Sequence, residues 1–315
     1  MSSLVIGSRG SILARTQSEL TRDALLETGL VDEISIHIIK TRGDIILDVP
    51  LAKVGGKGLF VKEIEQALLA GQIDIAVHSM KDMPTVQPDG LVIGAVPPRE
   101  DPRDVVVLPE GKTEVPQSPV FGTSSLRRSS QLLACFPGTS IQPLRGNVDT
   151  RVRRLEESNE LDAIVLAMAG LKRMGKAEEL NLLPLSTEEM LPAVGQGALA
   201  IQCRSDDTRV LELLGHLHHE ESAVCTVAER AFLKGVEGSC QVPVAAHATL
   251  DSNGILQLHA LVARLDGSEV FRRSGSGAPE DGEALGIQLA SELLDGGGRE
   301  VLQDCIRAFE QANND

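Results

Sequence analysis

The sequence predicts an α/β protein: two similar α/β domains followed by an α+β domain with a three-stranded antiparallel sheet. Three observations lead there. Short apolar runs alternate with amphipathic stretches at helical spacing through the first two thirds of the chain, the pattern of successive strands and helices. Residue types then recur in the same order: "LVIGSRGSILA" (4–14) is answered by "PVFGTSSLRRSSQLL" (119–133), and "QIDIAVHSMKD" (72–82) by "ELDAIVLAMAGLKR" (160–173). Beyond residue 216 the style changes to one helical stretch, three runs divided by turn sequences, and two closing helical stretches.

Taken in order, residues 4–6 form a short strand, and the Ser-capped pattern from 11 to about 28 a helix. Residues 34–40 form a second strand. The Gly- and Lys-bearing loop "LAKVGGKGLF" runs into a helix over about 60–70, and 73–77 reads as a buried strand of a largely parallel sheet. The Pro-rich, charged segment "AVPPREDPRD" (95–104) crosses to a second domain, and "LPAVGQGALAIQCR" (191–204) crosses back. Domain 1 is therefore placed at 1–97 and 198–216, domain 2 at 98–197 and domain 3 at 217–315. In domain 3, residues 219–234 are helical, and strands at 242–250, 256–265 and 269–274 are joined by "DSNG" and "LDGS", both good turn sequences.

Composition excludes several function classes. The 315 residues include six Phe and no Trp or Tyr, so cores are aliphatic and there are no stacking platforms for single-stranded nucleic acid. The net charge of −15 falls wholly in residues 156–315, because the first 155 residues hold equal numbers of acidic and basic side chains. Anion binding belongs in that first half, and a chain with pI near 5 is a poor DNA binder. Five cysteines, none spaced C-x-x-C and none with a His at ligand spacing, argue against a disulfide framework or a metal site. No run reaches membrane-spanning length and no secretion signal opens the chain, so a cytoplasmic protein that binds neither membrane nor nucleic acid is expected.

The polar clusters point to an anionic ligand. Strand, Gly and Ser/Thr, then a helix N-terminus is a ready anion site, because backbone N–H groups are free there and the helix dipole favours negative charge. The sequence offers it twice, at 7–11 with Arg9 and Ser11, and at 122–126 with Thr123 and Ser125 beside Arg127 and Arg128. "LRGNVDTRVRRL" adds Arg145 and Arg151, the latter sharing a helix face with Arg154. Guanidinium forks suit carboxylates or phosphates, and this many suggest a ligand carrying several. The loop "AKVGGKGLF" lacks the phosphate-loop pattern, because Gly58 follows Lys57, which rules out an NTPase reading. Asp82, beside Lys81 at the end of a buried strand, is a carboxylate set among cations. It can accept from N–H donors, stabilise a developing cation or pass a proton. Cys240, in the loop "GVEGSCQVPVAA", suits a nucleophile or an attachment point, while Cys225 and Cys135 fall in helical patterns.

"SRGSILARTQ", "LAKVGGKGLFVKEIE", "HSMKDMP", "GTSSLRR", "LRGNVDTR", "AGLKRM", "LPAVGQGAL" and "EGSCQVP" occur in order across nearly the whole chain. Together they resemble the hydroxymethylbilane synthase family, also called porphobilinogen deaminases. The resemblance implies two periplasmic-binding-protein type II-like domains and a transferase that joins four porphobilinogen molecules head to tail with loss of ammonia. Hydrolysis then releases hydroxymethylbilane. It implies a dipyrromethane cofactor on a thioether to Cys240, where Ser239 stands in place of the family's more frequent Gly. Asp82 becomes the catalytic carboxylate, contacting pyrrole N–H groups and stabilising the cation left when ammonia departs. Arg9, Ser11, Lys81, Thr123, Ser125, Arg127, Arg128, Arg145, Arg151 and Arg173 become the binders of cofactor and substrate carboxylates. The segment carrying Lys53, Lys57 and Phe60 becomes a mobile loop over the cleft. Also implied are a monomer, no metal, and hand-off of the product to uroporphyrinogen III synthase. A non-catalytic two-domain anion-binding protein is the alternative, and it has no use for Cys240 on a third domain.

Overall fold

The computed structural model describes residues 3–41, 61–236 and 242–314. They form two compact units, the first from residues 3–41, 61–100 and 197–223 and the second from 101–196 and 224–314.

The first unit opens with β1 (Ser3–Ser8), α1 (Ile12–Glu27) and β2 (Glu33–Ile38), and continues with α2 (Lys62–Leu69), β3 (Ile75–Ser79) and β4 (Leu91–Ala95). The chain then supplies the second unit with β5 (Asp104–Leu108), β6 (Val120–Gly122), α3 (Leu126–Cys135), β7 (Ser140–Gln142), α4 (Val148–Glu157), β8 (Ala163–Ala167), α5 (Met168–Arg173) and β9 (Asn181–Pro184). It returns to the first as β10 (Leu199–Arg204) and α6 (Thr208–Gly215). The sheet orders are β2-β1-β3-β10-β4 and β7-β6-β8-β5-β9, which match strand for strand, as the expected pair of similar domains requires.

The internal repeat has a physical basis. Asp74 accepts a hydrogen bond from Val5 N at 2.8 Å and donates its own N–H to Val5 O at 2.9 Å. Asp162 does the same to Val120, at 2.8 and 3.0 Å. Each aspartate thus clasps the start of the neighbouring strand and sets the parallel register Ile6↔Ile75 or Phe121↔Ala163. Side chains alternate across β3: Ile75 and Val77 join Leu4, Ile6, Leu25 and Ile201 on one face. Ala76 joins Ile64, Leu68 and Ile73 on the other. A strand covered on both faces reads as a continuous apolar run.

The sheets are mixed rather than largely parallel. β10 runs antiparallel to β3 and β4, and β5 antiparallel to β8 and β9. Both follow the two crossings directly, with no helix to return the chain to the starting edge, so each enters against its neighbours.

The chain continues as α7 (Glu220–Gly235), whose residues from 224 onward belong to the second unit, and that unit closes with the meander β11 (Val244–Leu250), β12 (Leu256–Ala263) and β13 (Val270–Gly277), and helices α8 (Gly282–Leu293) and α9 (Arg299–Asn314). The Asp251 carboxylate accepts from Asn253 N and Ile255 N to shape the first hairpin, and Gly254 takes the left-handed conformation it requires (φ 75°). Phe232, Leu258, Val262 and Leu289 fill the layer between the helices and the sheet. α7 and α8 approach so closely that a Cβ on Gly286 would lie 2.4 Å from Ala228 O. Gly286→Ala is therefore expected to lower stability by about 1–3 kcal/mol. Thermal melting checks this, and an unchanged Tm would show that the helices can part without penalty.

Candidate functional site

In the first unit the site stands at the carboxyl ends of two adjacent parallel strands, the usual ligand position in α/β sheets. β1 ends at Ser8, and Arg9 and Gly10 lead to Ser11, whose Oγ accepts from Ala14 N at 3.3 Å and caps α1. β3 ends at Ser79, and one tight turn, Met80–Asp82, follows. Met80 and Met83 are buried, and Met80 N donates to Ala198 O at 3.0 Å. The turn is pinned by its apolar residues, which leaves Lys81 and Asp82 exposed. Hence a strand built for burial ends in polar groups: the methionines anchor the turn, and the turn presents the charges.

Arg9, Ser11, Gln17, His78, Ser79 and Asp82 line one cavity of about 60 Å³. Gln17 is buried on α1 and donates to Ser79 Oγ at 3.0 Å, tying the helix to the end of β3. His78 Nε2 lies 3.1 Å from Gln202 Oε1. Burial pushes the imidazole down to about 4; the Gln202 hydrogen bond opposes that and the Arg9 charge adds to it. The cavity therefore contains a neutral imidazole at physiological pH.

In the second unit, β6 leads through Thr123 to Ser125. Buried Thr123 accepts from Ser125 N at 3.2 Å, and Ser125 accepts from Arg128 N at 3.4 Å as the cap of α3. Asn147 caps α4, and Arg151 Nε donates to Gly146 O at 2.9 Å. Gly146 takes φ 111°, a conformation that glycine tolerates and other residues rarely adopt. Arg145, Arg151 and Arg173 are half-buried, whereas Arg154 is exposed.

Arg127 and Arg128 stand side by side in the first turn of α3. Both are buried and bound to buried Asp104, at 2.6 and 2.7 Å. Arg127 also donates to Leu191 O, Arg128 to Val165 O, and Gln196 Nε2 to Asp104 Oδ1. Burial pushes the Asp104 carboxyl up, but the two guanidinium charges and their hydrogen bonds outweigh it and hold the group well below its usual range. One carboxylate and two guanidiniums leave the triad with a net positive charge.

Sequence reasoning missed Gln17, Gln202 and Asp104. The one available signal for Gln17 was a polar set, Gln17, Ser18 and Thr21, on the buried face of α1. Cys240, Lys53, Lys57 and Phe60 lie outside the described residues. Among the described cysteines, Cys203, Cys225 and Cys305 are buried, and burial pushes the Cys203 thiol up to about 11. No described helix is long and apolar enough to cross a membrane.

The dipyrromethane group implied by the resemblance carries several carboxylates. In each unit, taken by itself, the donors suit such carboxylates: in the first, half-buried Arg9 precedes the capped start of α1 and exposed Lys81 lies in the turn after β3, and the second holds three half-buried arginines and a net-positive triad.

Residues 4–212 match the family model described as porphobilinogen deaminase, dipyromethane cofactor binding domain, and residues 223–295 the model of the porphobilinogen deaminase C-terminal domain. A porphobilinogen deaminase of Bacillus cereus (strain ZK / E33L) is 49% identical over 304 residues, covering 96% of this chain and 97% of that one. A porphobilinogen deaminase of Syntrophobacter fumaroxidans is 50% identical over 307 residues, covering 96% and 98%. Among solved structures, the methionine-binding protein MetQ is similar at 13% identity and a TM-score of 0.42, covering 70% of this chain and 92% of that one. At that distance it has no bearing on what this chain does.

Proposed function

This chain belongs to the porphobilinogen deaminase family, and we propose that Asp82 is the carboxylate around which it works and Cys240 the point at which its cofactor is attached. The chain is a transferase: it condenses four porphobilinogen molecules head to tail with loss of ammonia and releases hydroxymethylbilane by hydrolysis. When bound, the dipyrromethane group supplies the primer that the first porphobilinogen extends.

Asp82 projects from a turn whose methionines are buried, so its carboxylate is held in the cavity without a long flexible reach. There it accepts pyrrole N–H groups, faces the positive charge that develops as ammonia departs, and takes or returns a proton. Arg9, Ser11 and Lys81 bind acetate and propionate groups at the end of β1 and at the turn after β3. Thr123, Ser125, Arg145, Arg151 and Arg173 do the same in the second unit, with Arg127 and Arg128 contributing the net charge they retain beside Asp104. Lys53 and Lys57 meet carboxylates of the bound substrate. The chain acts as three domains, 1–97 with 198–216, 98–197 and 217–315, as a cytoplasmic monomer that passes its product to uroporphyrinogen III synthase.

The observation that carries this reading is one small cavity in which an exposed carboxylate, a half-buried arginine and a neutral imidazole meet at two strand ends. A non-catalytic anion binder has no need of that carboxylate. Purified protein given porphobilinogen is expected to consume it and form hydroxymethylbilane, and a folded sample that does neither overturns the assignment. Cys240→Ser is expected to yield protein at the unmodified chain mass, whereas the wild type carries the added mass of two pyrrole units. Peptide mapping of an intact adduct to Cys225 or Cys203 would remove Cys240 from its role.

A further inference from the structure

His78 is one residue ahead of the turn that presents Asp82, it lines the same cavity, and the carboxylate chemistry above makes no use of it. Its setting is unusually determined. Gln202, on the neighbouring strand β10, donates through Nε2 to Gln87 Oε1 at 2.8 Å and to Glu65 Oε1 at 3.2 Å. With its amide nitrogen committed twice, Gln202 offers only Oε1 to the imidazole, 3.1 Å from His78 Nε2. That oxygen can only accept, so the ring proton must sit on Nε2. Nδ1 is then an unprotonated acceptor on a residue that lines the cavity. Four side chains, from α2, β3, β10 and the loop before β4, thus fix one tautomer, and Glu65, His78 and Gln202 are all buried.

We propose that His78 is a positioning residue: its Nδ1 accepts an N–H of the substrate's aminomethylpyrrole and orients that unit against Asp82. The chemistry requires an acceptor that stays neutral. An imidazolium would donate rather than accept, would pair with Asp82, and would add positive charge where the substrate itself becomes cationic. The charged groups facing the ring are Arg9 from the turn after β1, Asp82 from the turn after β3, and Glu65 on α2 behind Gln202; Gln17 on α1 and Gln202 on β10 are uncharged. Burial and the Arg9 charge keep the ring neutral, and the Gln202 contact selects which neutral form it takes. The inference rests on Asp82 being the working group of this cavity, and the experiment separates the two.

Ring-¹⁵N-labelled intact protein is expected to show His78 as the Nε2–H tautomer, with no titration between about pH 5 and 8. A midpoint near 6.5, or an Nδ1–H tautomer, would overturn the proposal whatever the enzyme's activity. His78→Leu is expected to lower kcat by about 10- to 100-fold through lost orientation. His78→Asn, whose carbonyl oxygen can occupy the Nδ1 position, is expected to recover most of that loss. Equal kcat values for the two variants at matched thermal stability would reduce His78 to a packing residue and sink the idea. If Asp82→Asn remains active while the spectroscopy holds, the Asp82 reading fails and the tautomer assignment stands.

Discussion

Asp82→Asn is expected to reduce porphobilinogen turnover by about 10²–10⁴-fold while leaving the fold and the covalent adduct intact. Loss of charge and loss of stability separate cleanly at this position. Asp82 is exposed, and the turn that presents it is held by Met80 and Met83 and by the bond from Met80 N to Ala198 O, none of which the substitution touches. A surface change of this kind shifts stability by about 0.5 kcal/mol or less. Asparagine keeps an acceptor oxygen at nearly the same place, so a role limited to hydrogen bonding would survive it. What it removes is the charge opposite a developing cation and the ability to take a proton. Asp82→Glu retains both but moves the carboxylate by one methylene, so an intermediate rate is expected if placement matters as well as charge. Porphobilinogen consumption, read beside intact mass and a melting curve, checks both variants against the wild type. Near-normal consumption by Asp82→Asn would remove the carboxylate from the chemistry.

The parts of this molecule legible in the sequence are those fixed by local rules. The helix read over 11–28 is α1, Ile12–Glu27, bounded by Ser11 and Thr28, because a serine before an apolar periodic run satisfies orphan N–H groups wherever it occurs. Ser125 and the hairpins at "DSNG" and "LDGS" were readable for the same reason. The two-fold repeat was also legible, and Asp74 and Asp162 show its cause in one hydrogen bond made twice. Strand direction was not, because β5 and β10 owe it to chain crossings rather than to anything within their own residues. Long-range polar partners were equally hidden. His78 and Gln202 are 124 residues apart, and Arg127 and Asp104 are 23 apart with a strand between them. Asp104 falls in a Pro-rich charged segment, where a carboxylate is expected to be solvated. Nothing local in that segment reveals that β5 begins at this residue and carries its side chain into the interior.

That buried aspartate carries the largest stability effect expected in the molecule. Asp104→Asn should lower stability by about 3–5 kcal/mol at neutral pH, the range for breaking a buried ion pair from one side. Asparagine fits the space and keeps an acceptor, but it leaves two buried guanidiniums, formerly 2.6 and 2.7 Å from the carboxylate, with no countercharge among their hydrogen-bond partners named here. The pH dependence gives an independent check. Asp104 titrates below its ordinary value of 3.8 in the folded protein, because Arg127 and Arg128 outweigh the effect of burial. A carboxyl depressed on folding contributes stability that is complete above its unfolded value and is lost as pH falls through the folded one. The gap in Tm between wild type and Asp104→Asn should thus hold steady through neutral and mildly acidic pH and narrow below about 3.8. Adding Arg128→Met to Asp104→Asn removes one of the two orphaned charges and should restore part of the loss. If the double variant is instead less stable than the single one, the triad contributes through shape rather than charge, and its net positive field has no place in holding an acidic ligand.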